Sequence, residues 1–195
     1  MFMTIDELIR DNRSVRRFKE HAAVARSTLL ELVELARLSA SAANLQPLKY
    51  LLSTEPTRNA SIFRHLAWAG YLADWNGPEE GERPAAYIVI LGDTTIAGDF
   101  HCDHGIAAQS MLLGAVERGL RGCIVASVRR EQLRAALSIP DHLEILLVIA
   151  LGEPAEQVVV ETAGADGDIR YWRDDDGVHH VPKRPRGELV VGDER

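Results

Sequence analysis

The chain has 195 residues, a length that fits one domain, or one domain with an extension, and needs neither disulfide nor metal to fold. Lys and Arg total 22 against 29 Asp and Glu, a net charge of −7, which argues against a nucleic-acid or anionic-membrane protein because those carry a basic excess. At 46% hydrophobic and 26% charged, the composition is that of a globular chain and not of a disordered one.

Met1 to Asp6 lacks the basic and long apolar stretches of a signal peptide. The longest nearly apolar run, Ile145 to Leu151, is too short to span a bilayer. Cys102 and Cys123 fit a reduced compartment better than a disulfide scaffold. The expectation is an acidic, cytoplasmic protein.

Thr4-Ile5-Asp6-Glu7 reads as a capping box and predicts a helix to about Arg10. A second helix opens at Ser27 or Thr28, with Leu29, Leu32, Val33, Leu35 and Ala36 at helical period. Ser39 to Pro47 is a small-residue loop, Leu48 to Ser53 a strand, and Pro56 starts a helix through Leu66. Trp68 to Pro84 is less regular, and Ala86 to Leu91 is a buried strand. Asp103 is expected to cap the longest apolar helix, which runs to about Arg118 and ends at Gly119. Strand Gly122 to Ala126, helix Arg129 to Leu137 and buried strand Glu144 to Leu151 follow. Tyr171 to Arg173 against Val178 to Val181 reads as a hairpin around Asp176-Gly177, and Glu188 to Val191 as a last strand. Strands interspersed with helices indicate an α+β or α/β layer fold carrying a C-terminal arm.

Four segments carry residues suited to chemistry. Asn12 to Phe18 sets guanidinium groups beside a hydroxyl, the donor set a phosphate monoester needs; a solvated basic turn is the plainer reading. Ser39 to Pro47 combines small residues with aimed amides, which suits a planar polar heterocycle or simply connects helix to strand. Gly119 to Ser127 is a strand ending in small residues before a helix, a frequent ligand edge. Val181 to Arg186 is a basic stretch of the arm.

Taken in order, N-R-S-V-R-R-F, S-A-S-A-A-N-L-Q-P, the D-H-G-I-A-A-Q-S-M-L-L-G-A-V-E-R-G-L-R-G-C unit and I-L-L-V-I-A-L-G-E-P resemble the FMN-dependent nitroreductase family. The resemblance implies an α+β three-layer sandwich, a mixed central sheet flanked by helices, and a homodimer that exchanges a C-terminal arm. Residues 1–160 would form the FMN-binding domain and 161–195 the arm. Carried over by motif, Arg13 and Ser14 would hold the FMN phosphate, and Arg16 would lie near the pyrimidine edge of the flavin. Ser41, Ala42 and Asn44 would approach the ring from the other subunit, and Gln46, in the same motif, is counted with the cofactor-binding residues. Ile124, Ala126 and Ser127 would line it, and Lys183 and Arg184 would complete the phosphate site. NAD(P)H would be the transient reductant and an electron-poor small molecule, such as a nitroaromatic or quinone, the acceptor.

Two departures stand out: Asn12 replaces an arginine usual in the first motif, and Ala40 a proline usual in the second. The short span from Leu91 to Asp103 leaves the substrate side open, or covered by Trp68, Tyr71 and Trp75, which would otherwise form a core or dimer stripe. Other readings are reductive dehalogenation or flavin fragmentation on the same fold, and an FMN-binding protein without turnover. A more distant one is a metal-dependent hydrolase using His101 and His104 in His101-Cys102-Asp103-His104.

Overall fold

The computed structural model describes residues 3–72 and 74–192. Met1 and Phe2 of the opening stretch, and the last three residues of the 161–195 arm, lie outside the described residues. Helix α1 (Ile5–Asp11) forms on its capping box: Glu7 donates its amide to Thr4 Oγ1 at 3.3 Å, and Thr4 donates its own to Glu7 Oε2 at 2.7 Å. Helix α2 (Arg26–Arg37) starts before Ser27 and Thr28, after an Ala25 N-cap that makes no side-chain bond. It buries the predicted face through Leu29, Leu32 and Ala36.

Strands β1 (Leu48–Ser53), β2 (Ala86–Asp93), β3 (Arg121–Val125) and β4 (Leu143–Gly152) form one sheet in the order β1-β2-β4-β3. Every ladder in it is antiparallel, which corrects the expected mixed sheet. β1 and β2, and β3 and β4, are consecutive strands that return along one another, and β4 then pairs antiparallel with β2 to join the two units. β2 and β4 are central; β2 is buried throughout and β4 from Val148 to Gly152, as their apolar runs require.

Alternation along β2 divides the core. Ala86, Ile88 and Ile90 pack against α2 and helix α4 (Asp103–Glu117), while Tyr87, Val89 and Leu91 face helices α3 (Pro56–Phe63) and α5 (Arg130–Leu137). Gly114 lets α4 press against α2: a Cβ there would lie 2.2 Å from Leu35 Cδ1. Gly119 takes the left-handed conformation that ends this unit, at φ 74°. α3 stops at Phe63, short of the predicted Leu66, because Leu66 bridges to Val128 instead.

A second, three-stranded sheet follows. β5 (Val158–Thr162) runs parallel to β7 (His179–Lys183), and β6 (Trp172–Arg173) pairs antiparallel with β7. The hairpin forms where Asp176-Gly177 predicts it, with Gly177 at φ 79° and its amide bonded to the Asp174 carbonyl at 3.0 Å. No strand spans Glu188 to Val191. Arg186–Glu188 folds instead into a 3₁₀ turn after Pro185, and among the described residues no strand pairs with the apolar residues that follow.

Candidate functional site

Two elements that are distant in sequence meet at the edge of the large sheet. β3 pairs with β4 on one side only, and its open side is met at Gly122 by Ser14 in a parallel bridge; the Val15 amide donates to the Gly122 carbonyl at 3.1 Å. The basic segment Arg13 to Arg17 is thereby laid along β3. Gly122 also lets β3 pack closely on β4 and α4, since a Cβ there would lie 2.7 Å from the Ala150 carbonyl oxygen and 2.6 Å from Leu112 Cδ2. Further along, Ile124 is 39% exposed in a strand otherwise buried or half-buried, and Ala126 and Ser127 are exposed beyond it.

The arginines of this segment have different roles. Arg13 is half-buried, donates through Nη2 to the Ile9 carbonyl at 2.7 Å, and keeps a buried Nε without a protein partner. Burial pulls its pKa below the usual guanidinium value, the direction expected of a cation short of counter-charge. Arg16 donates through Nη1 to the Ser14 carbonyl at 3.3 Å and meets His179 Nε2 at 3.2 Å, with its guanidinium over the Tyr171 ring at 4.9 Å. Arg17 turns away, toward Glu82 at 3.2 Å and the Trp75 ring.

Glu156 anchors this arrangement. Its carboxylate is 1% exposed and accepts the backbone amides of Arg16 at 2.5 Å and Arg17 at 3.1 Å, and the Arg173 guanidinium at 2.7 Å. A buried carboxylate with three donors is satisfied; without them it would be among the costliest groups in the fold.

The Ser39–Pro47 loop is organised by Asp103, which does not cap its helix as the sequence predicts. The N-cap is Cys102, and the buried Asp103 carboxylate accepts from Ser41 Oγ at 2.6 Å and from the Ala42 amide at 2.9 Å. Gln46 in turn donates its amide to Ser41 Oγ at 2.9 Å. Ala43, Asn44 and Gln46 all hold positive φ, at 48°, 57° and 53°, a strained run that only such fixed anchors maintain. A cavity of about 260 Å³ lies between this loop, α2 and α4, lined in part by Ala40, Ser41, Gln46, Tyr50 and Asp103.

Within one chain, the structure bridges Ser14 to Gly122 on β3, the strand that carries Ile124 and leads to Ala126 and Ser127, and it places the other predicted residues elsewhere. Ser41, Ala42, Asn44 and Gln46 are tied to the N-terminus of α4. Lys183 ends β7 opposite Thr162, and Arg184 reaches Glu188 at 3.3 Å. Asn12 donates to Gln109 Oε1 at 3.2 Å, so the departure at this position serves packing on α4.

Trp68, Tyr71 and Trp75 lie in a non-helical segment and split up. Trp68 packs on Phe63 at the second core, Trp75 lies under Arg173 at 4.3 Å, and Tyr71, 54% exposed, meets Tyr171 at 4.9 Å. Cys123 is buried, which raises its thiol pKa, and Cys102 is exposed; both are free. Among the described residues no three His, Cys, Asp or Glu side chains converge as a metal ligand set. No helix of the described residues is long and apolar enough to cross a membrane.

The fold is an α+β core whose basic N-terminal segment is bridged to the open edge of the large sheet. The nitroreductase family model matches residues 9–153, and the chain belongs to that family. A curated relative from Methanothermobacter thermautotrophicus, named "Putative NADH dehydrogenase/NAD(P)H nitroreductase", is 28% identical over 161 residues, 79% of each chain. Among solved structures, a nitroreductase family protein from Streptococcus pneumoniae superposes with a TM-score of 0.70 at 16% identity, covering 98% of this chain and 100% of that one. The NADPH:FMN oxidoreductase from Vibrio harveyi, complexed with NAD+, gives 0.67 at 20% identity, covering 97% and 77%.

Glu156, Tyr171 and Asp103's role at the loop are absent from the sequence-derived site. His179 appears in the sequence reading only within the predicted strand Val178 to Val181. The one available signal for Glu156 is its position, an acid just after a buried strand in a chain whose basic residues cluster near both ends.

Proposed function

We propose that the chain is an FMN-dependent oxidoreductase that takes electrons from NAD(P)H and delivers them to an electron-poor acceptor such as a nitroaromatic or a quinone. The single observation that carries this reading is the Ser14–Gly122 bridge, which lays the Arg13–Arg16 segment along the exposed end of β3. A cation with an unpartnered buried Nε and an exposed serine suit a phosphate monoester, and the open β3 edge suits the planar ring. The residues present therefore fit FMN. Bound there, it would supply the hydride chemistry that no side chain carries.

The chain's own residues position and polarise. Arg13 and Ser14 hold the phosphate, and Arg16 places a positive charge at the pyrimidine edge, where negative charge accumulates on reduction. Ile124, Ala126 and Ser127 line one side. Ser41, Ala42, Asn44 and Gln46 approach from a second copy of the chain, which accounts for their separation from Arg13 within one chain. Lys183 and Arg184 complete the phosphate site from the end of the arm, whose residues Tyr171, Arg173 and His179 pack on this chain's own Arg16 and Glu156. No side-chain nucleophile or general base is required. The names of the Methanothermobacter relative and the Vibrio oxidoreductase support the reductant and the cofactor.

The test is turnover. FMN-loaded protein should bleach on addition of NADH or NADPH and recover when a quinone is added, with steady reductant oxidation. Flavin that binds but never bleaches would make the chain a binding protein, not an enzyme.

A further inference from the structure

Arg16 is held by residues of the small C-terminal sheet. His179, at the start of β7, is fully buried, and its Nε2 lies 3.2 Å from Arg16 Nη1. A guanidinium has no acceptor, so Nε2 must accept, and the imidazole is neutral with its proton on Nδ1. Nδ1 is buried without a protein partner, so nothing on that side would stabilise a second charge. The groups facing the ring are Arg16, Arg173 and His180, which disfavour its protonation, and Glu156, which favours it but is already paired with Arg173. Burial, then Arg16, pushes the imidazole pKa down to about 4. Tyr171 completes the enclosure, its ring 5.2 Å from His179 and 4.9 Å from the Arg16 guanidinium carbon.

We propose that His179 is a positioning residue for Arg16: as a neutral acceptor it fixes, together with the Tyr171 ring, the direction in which the guanidinium points along the β3 edge. The inference rests on the functional reading above only for what Arg16 then acts upon. An arginine on a flexible stem loses much of its electrostatic effect if free to wander, whereas one locked by an acceptor and a ring face delivers its charge to one place.

The test compares His179→Leu, which removes the acceptor, with His179→Gln, which restores one. The readouts are FMN affinity by fluorescence and flavin midpoint potential by spectroelectrochemistry. His179→Leu should lower the affinity for reduced relative to oxidised FMN about tenfold, a potential ~30 mV more negative for a two-electron couple. His179→Gln should recover most of that change, and His179→Leu should have no further effect in an Arg16→Gln background. A wild-type potential in folded His179→Leu, or full additivity with Arg16→Gln, would overturn the proposal.

Imidazole NMR on the protein without flavin decides the pairing separately. The His179 ring should stay neutral to well below its usual pKa, and should titrate at higher pH in Arg16→Gln. An unchanged titration overturns the pairing, whether or not His179→Leu folds. Failure of the wild type to bind FMN would sink the functional reading and leave the pairing to this measurement.

Discussion

Ser41 donates its hydroxyl to Asp103 Oδ2 at 2.6 Å, and this bond ties the Ser39–Pro47 loop to the first turn of α4. Because Asp103 also accepts the Ala42 amide, one buried carboxylate maintains a loop with three non-glycine residues at positive φ. Asp103→Ala should cost about 1–3 kcal/mol in urea denaturation, since it removes two charge-assisted bonds from a buried site. It should also weaken FMN binding at least tenfold through loss of the loop conformation. Unchanged stability would mean that the loop holds itself.

Arg13→Ala tests the phosphate contact directly. Its guanidinium is half-buried, gives one bond to the Ile9 carbonyl and keeps an unpartnered Nε, so its structural role is limited to that one contact with α1. FMN affinity, read by fluorescence quenching, should fall tenfold or more, on the order of 1.5–3 kcal/mol for a lost charged hydrogen bond. The melting temperature of the flavin-free protein should change far less.

Gly122→Ala probes the bridge that joins the two halves of the site. The added methyl would meet the Ala150 carbonyl oxygen at 2.7 Å, and backbone cannot yield as a side-chain tip can. A loss of about 1–3 kcal/mol from overpacking is expected in denaturant titration, together with weaker FMN binding as Ser14 is displaced.

The two adjacent histidines should give opposite pH dependences. His180 bonds Glu161 at 2.5 Å and Asp174 at 3.1 Å and stacks on Trp172 at 4.0 Å, and these acids raise its pKa above the usual 6.5. Its stabilisation is therefore complete below pH 6.5 and is lost as pH rises through the raised value. His179 is depressed to about 4, so the unfolded chain takes up its proton first and stability falls as pH drops from 6.5 toward 4. In melting curves against pH, His180→Phe should reduce the decline on the alkaline side, and His179→Gln the one on the acid side. The same slopes in both variants as in the wild type would contradict these assignments.

Much of this architecture is legible in the sequence because its causes are local. Ile145 to Leu151 reads as a buried strand from its apolar run, Thr4 and Glu7 declare a helix start, and Asp176-Gly177 marks a hairpin. What escapes is long-range. A capping pattern cannot tell whether Asp103 serves its own helix or a loop far upstream, and here the loop takes it. Nothing near Glu156 reveals that its partners are the Arg16 and Arg17 amides. The helical spacing of Trp68, Tyr71 and Trp75 misleads because the segment around them never becomes a helix. The Arg13–Arg16 cluster is visible as composition, but its placement depends on a bridge to Gly122 that only the folded sheet provides.

The central claim is that the Arg13–Arg16 segment and the β3 edge together receive FMN, and the absorbance spectrum of the purified protein tests it most directly. The account predicts a flavin spectrum on isolation, or stoichiometric uptake when FMN is added, with binding weakened at least tenfold by Arg13→Ala. A colourless protein that takes up no FMN would contradict it.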